Sequence, residues 1–215
     1  MSKTLAAALG GLLLSGLLGG CAAVVIGGAG AGASVAHDRR TAGTYVEDQE
    51  IELRAFRLLY DHPEIKDRSS ISTTSYNLTV LLTGQAKDAE VAASFAKLVA
   101  QLPRVKQVHN EVVVGPESTL EEEANDTYLT SKVKYAMLEV KVPEFDPTRV
   151  KVITSQATVY LMGLVTAAEA DAAVEKARRV SGVKRVVRVF EVVPQSQLPA
   201  KPAPSSEPAA PADIH

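Results

Sequence analysis

The sequence predicts an α+β protein made of two tandem small modules. Each is an α-β-β-α-β unit with a three-stranded mixed sheet and two helices on one face. Two observations predict it. The run Ile71-Ser72-Thr73-Thr74, followed by Asn77 to Gly84, is matched by Val150-Lys151-Val152-Ile153, followed by Gln156 to Gly163. Both read as a strand, a polar turn and a second strand closing on glycine, and such self-similarity marks a unit used more than once. Around each run the apolar spacing switches between helical and alternating patterns in the same order.

The elements follow in order. In the first copy a helix carries Ile51, Ala55, Leu58 and Leu59 on one face, and the segment from Ile51 to Leu59 matches that from Leu129 to Met137. The turn near Tyr76-Asn77 is short enough to join two antiparallel strands, whereas the later strand-helix-strand crossover favours a parallel pair. Glu90 and Glu169 occupy matching places in the second helices. The last strand of copy one places Val108, Asn110, Val112 and Val114 on one side, and His109, Glu111 and Val113 on the other. Copy two repeats this with Val186, Arg188, Phe190 and Val192. The modules are expected at 46–114 and 125–193, joined by an acidic linker at 115–124 that holds Glu121, Glu122 and Glu123.

The flanks differ from this. Residues 1–20 have one lysine, an apolar run from Leu5, and small residues before Cys21. That is the layout of a secretory signal, and Leu17-Leu18-Gly19-Gly20-Cys21 resembles the lipobox of bacterial lipoproteins. The resemblance implies cleavage before Cys21 and lipidation of its thiol. An uncleaved anchor is the alternative, but a membrane-spanning helix needs about 20 apolar residues and this run is shorter and broken by glycine. As the only cysteine in the chain, Cys21 has no partner for an internal disulfide. Residues 21–45 are expected to form a flexible Gly/Ala-rich tether, and the Pro/Ala-rich tail 194–215 to be disordered.

The repeated α-β-β-α-β pattern, the closing glycines Gly84 and Gly163, and the Val-Lys-x-Val runs at Val105 and Val183 together resemble the BON domain, a module of bacterial envelopes. A lipobox followed by two copies resembles the dual-BON lipoproteins. The resemblance implies a non-enzymatic protein on the outer membrane of a Gram-negative bacterium, facing the periplasm, held by Cys21 and supporting envelope integrity. Ala22 after the cysteine fits outer-membrane sorting. The resemblance also implies that the first helix of the second module contacts anionic phospholipid, with Tyr128 standing where the family typically has tryptophan.

The residues add their own argument. Around the second copy's first helix, Leu129, Val133, Ala136 and Val140 form the stripe expected to face the core. Tyr128, Ser131, Lys132, Tyr135 and Leu138 face outward, with Glu139 among them. The aligned outward residues of copy one are Glu50, Arg54, Arg57 and Asp61, a surface expected to be charged and water-loving. Tyrosine settles at the headgroup level with its hydroxyl wet, and lysine attracts anionic lipid. Segment 125–193 holds eleven Lys and Arg against eight Asp and Glu, whereas 46–114 holds eight against ten. Lys134, Lys141, Lys184 and Arg185 are candidates to widen the basic patch. Residues and resemblance together make an anionic phospholipid membrane, of phosphatidylglycerol or cardiolipin, the expected partner; the alternative for Tyr128 and Tyr135 is packing against the other module. A second expectation is an adaptor for outer-membrane assembly, cell-wall or division machinery, since the edges of small sheets invite pairing; a periplasmic stress protein is a third.

No nucleic-acid partner is expected from a net charge of -2. No cofactor or metal is expected either. The histidines His37, His62, His109 and His215 are dispersed. No Gly-x-Ser-x-Gly elbow, Walker loop or zincin motif occurs, and the glycines between Gly27 and Gly32 lack the strand and helix that a nucleotide loop needs. Asp88 and Glu90 stand where a helix begins and suit its dipole.

Overall fold

The computed structural model of the chain describes residues 38–194 and residue 196. The expected leader, Cys21, the tether as far as His37 and nearly all of the tail lie outside the described residues.

The first module opens with helix α1 (Ala42–Asp61), whose N-terminus is capped by the Thr41 hydroxyl accepting from the Thr44 amide. One short turn, α2 (Pro63–Lys66), leads to the hairpin β1 (Ser69–Tyr76) and β2 (Thr79–Ala86), which pair antiparallel with Tyr76 opposite Thr79. Helix α3 (Ala89–Val99), capped by Asp88, then crosses to β3 (Gln107–Asn110) and β4 (Val113–Val114), both parallel to β2. The second module repeats the order. Helix α4 (Leu120–Met137) and a 3-10 turn (Pro147–Arg149) precede the antiparallel hairpin β5 (Lys151–Ser155) and β6 (Thr158–Val165). Helix α5 (Ala167–Arg178) crosses to β7 (Arg185–Val192), parallel to β6. Each sheet is mixed and three strands wide, and this is the expected α+β architecture.

Three boundaries depart from expectation. The last strand of module one is broken at Glu111-Val112 without change of register, since Leu82 lies opposite Asn110 and Gln85 opposite Val113. The Asn110 side chain causes the break: its carbonyl oxygen accepts from the Val112 amide while its NH2 donates to the Ala92 carbonyl. The acidic stretch expected to be wholly linker supplies the first turns of α4. Thr119 and Glu122 form a capping box, and Glu121 to Glu123 face the positive end of the helix dipole. Finally, the expected tether ends early, because Asp38, Arg39 and Arg40 are bound into the fold before α1 begins.

Both hairpins turn through residues with positive φ and no glycine: Asn77 and Leu78 in one, Gln156 and Ala157 in the other. Side chains other than glycine resist this conformation. In each module an aspartate early in the first helix compensates by accepting the turn amides. Asp48, fully buried, accepts from Asn77, Leu78 and the Ser75 hydroxyl; Asp126 accepts from Gln156 and Ala157. The repeated glycines have a different origin. A Cβ on Gly84 would lie 2.0 Å from the Ser70 carbonyl oxygen, and one on Gly163 would lie 2.5 Å from that of Arg149. At Gly84 φ is +111°, a second obstacle to any side chain.

Each module has a core between its helices and one sheet face. Ile51, Ala55, Val80, Leu82, Phe95 and Val99 form the first; Val133, Met137, Val159, Leu161, Ala170 and Ala173 form the second. The faces without helices do not meet water. Tyr76 and Leu81 of the first sheet join Tyr160, Met162, Leu164 and Val189 of the second in a third buried cluster. Burial raises the Tyr160 phenol above its ordinary value, and the charge of Glu111 in the other module adds to this. Polar links rim the seam: Lys151 to Glu52 at 3.1 Å, Arg185 to Glu111 at 3.1 Å, and Asn77 to Glu191 at 2.6 Å.

The arginine pair ahead of α1 clasps this seam. Arg39 binds Glu169 of the second module through both guanidinium nitrogens, at 2.6 and 2.9 Å, and donates to the Leu164 carbonyl. Arg40 binds Asp48 of the first module at 2.8 Å and also pairs with Asp38. Its guanidinium lies 3.9 Å from the Tyr76 ring centre and 5.1 Å from that of Tyr45. Burial pushes the Tyr76 phenol up to about 12, with the nearby Asp38 charge as the next cause. Among the described residues, every buried side-chain nitrogen and oxygen has a hydrogen-bond partner.

Two predictions follow the packing. Gly84→Ala and Gly163→Ala should each destabilise the chain by at least about 2 kcal/mol in urea unfolding, because a backbone oxygen occupies the space of the new methyl. Arg39→Met should cost about 3 kcal/mol by leaving the buried Glu169 carboxylate only the more distant Arg149, with Arg39→Met/Glu169→Leu recovering most of the loss. The clasp also sets a pH dependence. Burial pushes the Glu169 carboxyl up, but Arg39 and the Thr166 amide outweigh it and hold it below the ordinary 4.5. A lowered folded value adds stability that is present above the unfolded value and lost as pH falls through the folded one. Urea midpoints should therefore drop on acidification below about pH 4.5, and Glu169→Gln should flatten that drop.

Candidate functional site

The face expected to bind is built on α4. Leu129, Val133 and Met137 point into the module and are almost inaccessible. Ala136 and Val140, expected on the same stripe, are half-buried at its border. Residues 128, 131, 135 and 138 recur at helical spacing on the outer face. The exposure is large: 62% for Tyr128, 69% for Tyr135 and 66% for Leu138. Ser131 is exposed too, although its hydroxyl donates to the Thr127 carbonyl and so serves the helix itself.

Lys132 also makes contacts within its own module. Its ammonium donates to the Ser181 carbonyl at 2.7 Å and lies 5.2 Å from the Tyr128 ring centre. It braces α4 against the loop before β7 and supports the Tyr128 ring, so only part of its charge is offered outward. Arg185 is likewise committed, to Glu111 across the seam. Lys134, Lys141 and Lys184 are exposed. Lys134 and Lys141 lie toward the C-terminal end of α4, and the acidic residues Glu121 to Glu123 at its start, so the patch is polarised along the helix.

The matching face of α1 is not purely charged. Glu50, Arg54, Arg57 and Asp61 are exposed as expected, but an aromatic row runs beside them. Val46, Leu53, Phe56 and Tyr60 are 63%, 48%, 56% and 54% exposed. Phe56 and Tyr60 pack ring against ring at 4.6 Å, and Lys66 lies 4.9 Å from the Tyr60 ring centre. The aligned reading of the two helices missed this row because it sits one step around the helix, between the charged strip and the core. The signal was present in the alternating three- and four-residue spacing of Val46, Gln49, Leu53, Phe56 and Tyr60.

Nothing in the described residues gathers reactive chemistry. No three His, Cys, Asp or Glu side chains among them are placed to hold a metal ion. No described helix is long and apolar enough to cross a membrane. A groove of about 550 Å³ opens between α1, the end of α4 and β5.

Comparison with known proteins places this geometry. The family described as "BON domain" matches residues 47–116 and again 125–194. The chain is 36% identical over 190 residues to Outer membrane lipoprotein DolP of Haemophilus influenzae, covering 88% of this chain and 95% of that protein. It is 35% identical over 156 residues to the 21 kDa hemolysin of Actinobacillus pleuropneumoniae, covering 73% and 79%. Among solved structures, CdsD, a structural protein of the Type III secretion system of Chlamydia trachomatis, aligns over 64% of this chain and 93% of its own, at 14% identity. Its TM-score of 0.28 is too low to carry an argument. With two matched segments that coincide with two α-β-β-α-β units, and a DolP-like sequence over most of its length, the chain belongs to the BON-domain family.

Proposed function

We propose that this protein is a non-enzymatic outer-membrane lipoprotein, facing the periplasm and anchored through Cys21. On this reading its second BON module rests on anionic phospholipid through α4, and the protein supports envelope integrity. One observation carries the lipid contact: Tyr128, Tyr135 and Leu138 stand out from a single helix face, each more than 60% exposed. Three large side chains are not left in water without cost, and two of them are of the kind that settles at the headgroup level. Lys134 and Lys141 add attraction of about 1 kcal/mol each near an anionic surface. The anchor and its location are supported by the lipobox-like run at Leu17 to Cys21 and by the name of the Haemophilus relative.

The aromatic row of α1 favours a second reading, an adaptor that presents Leu53, Phe56 and Tyr60 to a helix of envelope assembly or division machinery. Spacing by three and four is what a partner helix requires.

Co-sedimentation with vesicles tests the first reading, using the chain from residue 22 onward, which contains every described residue. Binding to phosphatidylglycerol or cardiolipin vesicles should exceed binding to phosphatidylcholine at least tenfold, and should weaken with salt. Tyr128→Ser/Tyr135→Ser/Leu138→Ser should abolish it without lowering the melting temperature, whereas Leu53→Ser/Phe56→Ser should leave it intact. Undiminished binding by the α4 variant refutes the site. For the anchor, the native protein extracted from membranes should begin at Cys21 and carry the added mass of acyl chains. An intact Met1 with an unmodified thiol would refute that.

A further inference from the structure

The groove between the modules is not part of the outer α4 stripe, yet it borders it. Its floor is apolar, made by Met137, Val150 and Val152, which are 1%, 5% and 6% exposed. Tyr45 and Gln49 of α1 form one wall and Leu138 of α4 the other. Three cations line it, Arg40, Lys134 and Lys151, and no carboxylate does. Two of these are engaged: Arg40 with Asp38 and Asp48, and Lys151 with Glu52. Lys134 is exposed and forms no ion pair among the described residues. At about 550 Å³ the groove falls within the range of sites for single small ligands.

We propose that this groove takes one anionic amphiphile at a time, a single phospholipid with an anionic headgroup. The phosphate is held between Lys134 and Lys151, and an acyl segment lies between the exposed walls Tyr45 and Leu138, above the buried Met137, Val150 and Val152. Charge complementarity selects this occupant through Lys134, the lining cation without an ion pair among the described residues, while Arg40 and Lys151 are offset by Asp38, Asp48 and Glu52. An apolar floor disfavours a free polar anion. The inference rests on the α4 reading of the protein's function and deepens it. Leu138 belongs both to the outer stripe and to the groove wall, so lipid beneath α4 is one side chain away from entering. The site also needs both modules, since Tyr45 and Gln49 come from the first and the lysines from the second.

The probe is dihexanoyl phosphatidylglycerol below its micelle concentration, titrated into the chain from residue 22 onward and followed by amide chemical shifts. Dihexanoyl phosphatidylcholine and inorganic phosphate serve as controls. Monomeric phosphatidylglycerol should bind at least tenfold more tightly than either control, with shifts at Met137, Val150 and Val152. Lys134→Glu, which reverses the unpaired charge at an exposed position, should weaken it at least tenfold. Gln49→Trp, which fills the mouth from α1, should do the same, while Tyr128→Ser/Tyr135→Ser should leave monomer binding in place and lower vesicle binding. Three results would overturn the proposal: no monomer binding, binding indifferent to both groove variants, or equal binding of inorganic phosphate. Failure of monomer binding alongside vesicle binding that depends on Tyr128 and Tyr135 would remove the groove and leave the α4 surface standing. Monomer binding by the unaltered chain, with vesicle binding that is absent or indifferent to Tyr128 and Tyr135, would do the reverse.

Discussion

A three-stranded sheet with helices on one side leaves its other side bare, and this constraint organises the molecule. In either module alone the bare side would set Leu81, or Tyr160, Met162 and Leu164, against water. Each such side chain contributes about 1.5–3 kcal/mol when buried, a large share of the margin by which a module of this size folds. Turning the two bare sides toward one another removes the difficulty for both. The tandem repeat is thus a folding unit as well as a duplication. The outer faces of the helices are left to solvent.

The two copies have diverged where the shared seam demanded it. Counted from the caps Asp88 and Thr166, Glu169 matches Val91 rather than Glu90, and both matched positions are buried. Where the first module keeps an apolar side chain, the second has a carboxylate that Arg39 binds. Asp48 and Asp126 do the same work on their hairpin turns, but Asp48 also receives Arg40. A carboxylate in the first half of a helix has a second task in each module: Asp48 holds a turn and binds Arg40, and Glu169 closes a capping box and binds Arg39.

Much of the fold was legible in the sequence because periodicity and glycine report local rules. Gly84 and Gly163 marked the second strands, although each strand runs two residues past its glycine rather than closing on it, and the alternation from Val108 to Val114 marked a strand. Longer-range demands were less visible. Glu121 to Glu123 read as solvated linker because charge runs usually are, and only Thr119 with Glu122 reveals a helix start. Arg39 and Arg40 were hidden inside a Gly/Ala-rich stretch whose composition argued for a tether, although they and Asp38 are its only charges. On α4, residues 128, 131, 135 and 138 came out on one exposed face because helix geometry alone decides that. The bond from Lys132 to the Ser181 carbonyl was not legible because the two lie 49 residues apart in sequence. The groove was not legible at all, since its walls come from both modules.

The clasp gives the chain a particular mechanical character. If the protein hangs from its N-terminal side, any pull arrives first at Asp38, Arg39 and Arg40, where adjacent residues grip different modules. Load is therefore divided between the two halves at the outset, and neither is drawn away from its neighbour by the leading helix alone. The junction behaves as a yoke.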